Sequence, residues 1–199
     1  MTAAQDKREN THLWLRGTLG DYARCRSPIA RIPAVLDALT LQRWVTAHGL
    51  EGLFYQAEDE GGRLDALLPQ WRQKAMARLL ANLRALRASS HLFTLLDAAG
   101  IEAAAMRGVV LAHRDYASPE ERGMRDVDVL LHPASRTAVL ELLQRAGHTP
   151  IERLRSQDVM QIESVVMELH WSLLTAKRYR GCVDAAQWLR GRRPLESRE

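Results

Sequence analysis

Met124-Arg125-Asp126-Val127-Asp128-Val129-Leu130-Leu131 is the stretch that decides the fold. It reads as a strand. Alternate side chains of a strand point to opposite faces, so Val127, Val129 and Leu131 share a face suited to a core. Asp126 and Asp128 share the other, with α-carbons ~6.7 Å apart from the rise of a strand. Carboxylates closing to ~5 Å repel by roughly 3 kcal/mol at an effective dielectric of ~20. A divalent cation is the natural offset, and hard ions such as Mg²⁺ prefer carboxylate oxygen.

A second stretch strengthens this reading. In Val165-Val166-Met167-Glu168-Leu169-His170-Trp171 the residues Val165, Met167, Leu169 and Trp171 form an apolar face. Glu168 projects from the opposite one, and His170 shares its side. An acidic group inside a half-buried strand is costly without a partner. If the two strands lie side by side, three carboxylates meet, which suits metal-assisted phosphoryl transfer.

Working outward, the period changes at Gly100. From there to Trp171 the order reads β-α-β-α-β-β: strands at 101–106, 124–131, 148–154 and 165–171, and helices at 108–116 and from Pro133 to Gly147. A loop covers 117–123. Before Gly100 the chain reads as helices. Pro28 and Pro33 are placed to open helices. Thr40 is the expected N-cap of a helix over 41–48, with Trp44, Val45 and Leu50 toward a core, and Gly49 stops it. Asp59 to Arg63 reads as a loop. A long helix over 68–99 carries Met76, Leu79, Leu80, Leu83 and Leu86 at spacings of three and four, continued by Leu92, Phe93, Leu95 and Leu96, an apolar stripe for packing.

Composition is that of a soluble globular protein, 46% apolar and 26% charged. No apolar run reaches the ~20 residues of a membrane span. The N-terminus lacks a signal peptide's apolar core, and the two cysteines, Cys25 and Cys182, form no C-x-x-C pair. A reducing, cytoplasmic location is expected. The net charge is +4. Residues 176–199 hold seven basic and three acidic side chains, so this segment accounts for the whole excess. It reads as a solvated end, and a broad nucleic-acid-binding face is not indicated.

Three motifs in order carry a family resemblance: Met106-Arg107-Gly108-Val109-Val110-Leu111, then Ser118 through Leu130, then Met167-Glu168-Leu169-His170-Trp171. Over roughly residues 30 to 190 the sequence resembles the uncharacterised nucleotidyltransferase family of the polymerase-beta-like superfamily. That resemblance implies an α+β fold, a small mixed β-sheet nucleotidyltransferase core flanked by helices, with an N-terminal helical region. The implied division is 1–99 helical, 100–175 core, and 176–199 a basic segment read as a truncated helical extension. The implied activity is transfer of a nucleoside monophosphate from an NTP to an acceptor hydroxyl, on a small molecule, sugar, peptide or protein. Asp126, Asp128 and Glu168 would be the catalytic and metal-binding residues for Mg²⁺ or Mn²⁺. Glu168 would also help deprotonate the acceptor. Arg107, Gly108, Arg122 and His170 would face the nucleotide: the arginines on phosphate charge, Gly108 at a helix start near the triphosphate, and His170 on phosphate or orienting Glu168. The sequence departs from the family pattern at Arg107 (usually Lys), Gly123 (usually Pro) and Arg125 (usually Ser), and Val109 stands where the wider superfamily often has Ser. Members usually continue into a helical region beyond the last motif. These departures support an alternative reading, a catalytically inactive nucleotide-binding or regulatory module with the same fold. A third reading, a helical interaction protein with an incidental D-x-D, requires Glu168 more than ~10 Å from both aspartates, well beyond the spacing of two-metal sites.

Overall fold

A computed structural model describes residues 3–25, 29–174 and 182–193. The protein is α+β. It divides into two compact units: Met1–Asn82 with Asp115–Gly123, and Leu83–Arg114 with Met124–Glu199.

The first unit is helical. It holds α1 (Ala3–Cys25), α2 (Ala38–His48), α3 (Glu51–Phe54) and the first half of α4 (Leu68–Ala98). The stretches β1 (Arg31–Ile32) and β2 (Glu58–Asp59) pair in parallel, so the expected loop at 59–63 begins inside a strand. Asp37, rather than Thr40, caps α2: its Oδ1 accepts the Thr40 N–H at 2.8 Å. Gly49 ends α2 in the left-handed region at φ 62°. Val45 is buried, whereas Trp44 is exposed. Pro33 leads into a turn, its carbonyl accepting from Leu36 N–H; Pro28 lies outside the described residues. The core gathers Leu15, Ile32, Leu41, Phe54, Leu64 and Trp71.

Buried Glu51 sits beside that core, 3.0 Å from Lys74 Nζ and 3.1 Å from an Arg78 nitrogen. Burial alone would raise its pKa. Hydrogen bonds from backbone, Lys74 and Arg78 outweigh that, and the carboxyl titrates below its ordinary range. The segment 115–123 is held similarly. The Tyr22 hydroxyl donates to Glu121, and the Tyr55 hydroxyl donates to Glu120 Oε1 at 2.7 Å. Burial, then the Glu121 carboxylate, push Tyr22 up to about 12. Glu120 is pushed up by burial but pulled lower still by Ser118 and Tyr55. Gly52 fits against this segment: a Cβ there would stand 2.1 Å from the Glu120 carbonyl oxygen.

The second unit is a five-stranded sheet with helices. Its strands are β3 (Ala103–Met106), β4 (Val127–Leu131), β5 (Pro150–Arg153), β6 (Gln157–Ile162) and β7 (Val165–His170), in the order β3-β4-β7-β6-β5. The central pair, β4 and β7, is parallel; the other pairings are antiparallel. Helices α5 (Gly108–Arg114), α6 (Arg136–Arg145) and α7 (Ala185–Arg190) complete it. One sheet face packs Val127, Val129, Leu131, Met167 and Leu169 against Ala85, Ala88, Leu92 and Leu96 of α4 and Val139 and Leu143 of α6. Burying aliphatic side chains of this size contributes roughly 1.5–3 kcal/mol each.

Three expectations need correction. The first half of the stripe on α4 is not buried, since Met76, Leu80 and Leu83 are exposed, whereas its continuation is, with Leu92 and Leu96 buried and Leu86, Phe93 and Leu95 packed against the core. Small residues, Ala75, Ala85, Ala88 and Ser89, let the helix approach its neighbours closely and carry the buried side with Trp71, Leu92 and Leu96. Strand β6 was not expected. It joins β7 through Glu163 and Ser164, both at positive φ (48° and 68°), which suits a two-residue hairpin turn. The C-terminal segment is not wholly a solvated end either: Ala185 and Leu189 of α7 are buried against Leu130 on the second sheet face. No helix among the described residues is long and apolar enough to cross a membrane.

Candidate metal and nucleotide site

The site grows from the register of the two central strands. Val127 pairs with Met167, Asp128 with Glu168, Val129 with Leu169 and Leu130 with His170. Parallel strands lie ~4.8 Å apart, and register partners point to the same face. Once the valines enter the core, Asp128 must leave on the opposite face, and Glu168 beside it. His170, two residues on, joins them.

Donor atoms of Asp128, Glu168 and His170 all lie within 4.8 Å of one another. His170 Nε2 donates to Asp128 Oδ1 at 2.7 Å and stands 3.4 Å from Glu168 Oε2. Gln157 Nε2 donates to the same Glu168 oxygen at 3.0 Å. Arg107 NH1 lies 3.1 Å from Asp128 Oδ1. The side chains of Asp128 and His170 are only 7% and 3% exposed, while Glu168 (25%) and Arg107 (59%) reach solvent. Two carboxylates are thus held side by side on the central strands of the sheet, one closed off and one open.

Arg107 stands at φ 49° in the turn from β3 into α5. A left-handed backbone at a residue with a side chain costs of order 1–3 kcal/mol, and such strain clusters at functional sites. The strain falls on Arg107 and not on Gly108. A Cβ at Gly108 would meet Met124 Sδ at 3.7 Å, an ordinary contact.

Asp126 precedes β4 and is half-buried. Asp126 is not one of the three residues whose donor atoms lie within 4.8 Å of one another. Arg122 belongs to the first unit, where its carbonyl accepts from Asn82 Nδ2 and its guanidinium lies 5.7 Å from the Tyr116 ring centre.

Sequence reasoning missed Gln157 and the bond between His170 and Asp128. It also missed a second buried carboxylate, Asp158 on β6. Arg136 Nε and NH2 reach its two oxygens at 2.9 and 2.7 Å, and Trp171 Nε1 donates to it at 2.9 Å.

A family model described as uncharacterised nucleotidyltransferase matches residues 35–199. No curated protein matches the sequence. Among solved structures, the solution structure of the antibiotic-resistance factor ANT(2'')-Ia is similar over 43% of this chain and 45% of that chain, with 13% identity and a TM-score of 0.38. The crystal structure of ANT(2'')-Ia in complex with adenylyl-2''-tobramycin is similar over 43% and 49%, with 11% identity and a TM-score of 0.36. The match spans just under half the length of either.

Proposed function

The chain belongs to the uncharacterised nucleotidyltransferase family, and we propose that it transfers a nucleoside monophosphate from an NTP to an acceptor hydroxyl, dependent on a divalent cation, Mg²⁺ or Mn²⁺. The observation that carries this reading is the in-register pair Asp128 and Glu168 on neighbouring parallel strands. The donor chemistry fits such a cation: carboxylate oxygens from two rigid strands, on a face where one of them opens to solvent. Asp128 and Glu168 would hold it, and Asp126 joins them on the strength of the motif. When bound, the cation neutralises charge on the transferring phosphoryl group and the attacking oxygen.

The chain's own groups have distinct tasks. Asp128 is fixed by His170, so its orientation is set before substrate arrives. Glu168 is the more exposed carboxylate and is suited to help take the proton of the acceptor hydroxyl. Arg107, planar and always charged, would neutralise phosphate charge. Gly108, at the start of α5, is assigned a backbone contact to the triphosphate. The acceptor belongs to a small molecule, sugar, peptide or protein.

The test is transfer of label from α-labelled NTPs to a panel of acceptors with Mg²⁺ or Mn²⁺. Label should move to an acceptor, and the double change of Asp126 and Asp128 to Asn should stop it. The proposal fails if no nucleotide binds and Asp126→Ala changes nothing. A second reading, nucleotide binding without turnover, is favoured by the Arg107 guanidinium on Asp128, a cation already placed where metal charge would act. Binding without transfer to any acceptor would select it.

A further inference from the structure

His170 is the least exposed member of the site, and its Nε2 faces both carboxylates. One N–H serves one strong acceptor, and here it serves Asp128 at 2.7 Å. The second facing oxygen, Glu168 Oε2, is 3.4 Å away and is supplied by Gln157. Ligand atoms about 2.0–2.3 Å from one cation stand roughly 3–3.5 Å apart. The spacings around Nε2 are close to those values. Its backbone is fixed by β7, and the ring is walled in, so this nitrogen stays on the site.

Resting on the metal-dependent reading above, we infer that His170 is a direct metal ligand, making this a mixed nitrogen–oxygen site that selects a transition-metal ion of the Mn²⁺ class over Mg²⁺. An all-carboxylate site suits Mg²⁺ and Mn²⁺ alike, whereas imidazole nitrogen favours transition metals. On binding, Nε2 gives up the proton it donates to Asp128: the neutral ring takes the tautomer with its N–H at Nδ1, the Nε2 proton passing to solvent as one is taken up at Nδ1, and the Nε2 lone pair faces the metal. Arg107 does not block this, since its side chain is more than half exposed and can turn away from Asp128.

Two measurements on the full chain without nucleotide test the inference. The first is pulsed electron paramagnetic resonance of bound Mn²⁺. Coupling to an imidazole nitrogen is expected in the wild type, and bound Mn²⁺ without it overturns the inference even if every variant misfolds. The second is calorimetric titration with Mn²⁺ and with Mg²⁺. The wild-type preference for Mn²⁺ should shrink by about tenfold in His170→Gln, which keeps a hydrogen-bond donor but not an imidazole. If both affinities fall together and the ratio holds, His170 only orients Asp128 and the inference is wrong. If the wild type binds neither ion, the metal-dependent reading falls as well.

Discussion

Two buried aspartates lie on opposite faces of the same sheet, and their surroundings differ. Asp158 lies on the face covered by α4 and α6, with both oxygens taken by Arg136 and a third N–H from Trp171. Asp128 lies on the other face, where α7 packs on Leu130, with His170 and Arg107 converging on the single oxygen Oδ1 and the Glu168 carboxylate alongside. The first is a closed arrangement, in which every partner is part of the fold. The second places two like charges together beside a solvent-exposed cation, an arrangement that invites a ligand. A buried carboxylate marks structure when its donors saturate it, and chemistry when another carboxylate shares its space.

Replacing each aspartate should separate the two roles. Asp128→Asn should lower transfer by on the order of 10⁴-fold, about 5 kcal/mol of barrier, in the label-transfer assay. Its denaturant midpoint should hold or rise, because repulsion with Glu168 is relieved. Asp158→Ala should do the reverse. It strands the Arg136 charge, and breaking a buried pair costs about 3–5 kcal/mol, measured by chemical denaturation. If Asp158→Ala is neutral in stability, the contrast between the two carboxylates collapses.

Smaller effects extend the contrast to the helical unit. Gly52→Ala should cost about 1–3 kcal/mol, because the new Cβ collides with the Glu120 backbone, which has little room to yield. Glu51 and Glu120 have depressed pKa values. Their stabilising contribution is complete above the ordinary carboxyl value of 4.5 and is lost as pH falls through the folded values. Glu51→Gln should therefore be less stable than wild type at pH 7 and approach it in acid. Tyr22, raised to about 12, works in the other direction: its contribution is full below pH 10 and is lost as pH rises toward 12. Gly108→Ala should be smallest in stability, within about 0.5 kcal/mol, since its Cβ has space and its φ is not positive. A large loss of transfer with that stability retained would place substrate against the α5 start.

How far the sequence disclosed this arrangement depends on the residues. Strands β4 and β7 were legible because valines, leucines and methionine alternate with acids, and alternation dictates faces. Strand β6 was hidden by its own function: Asp158 occupies a core position, so Asp158, Met160 and Ile162 do not read as an apolar face. Its turn, Glu163-Ser164, also lacks the Asn-Gly signature of a tight hairpin. The packing of α7 was hidden because only Ala185 and Leu189 carry its buried side amid a basic segment. The turn before α5 was legible in position and misread in detail, since Gly108 drew the conformational argument and Arg107 bears the positive φ. Asp126 stands directly before β4, because a two-residue motif fixes spacing while strand pairing decides where the ladder begins.

Crystals of the protein soaked with Mn²⁺ and a non-hydrolysable NTP test the central claim most directly, through the anomalous signal of the metal. The peak should lie within about 2.5 Å of carboxylate oxygens from both Asp128 and Glu168. A fully occupied Mn²⁺–nucleotide complex touching neither side chain would contradict it.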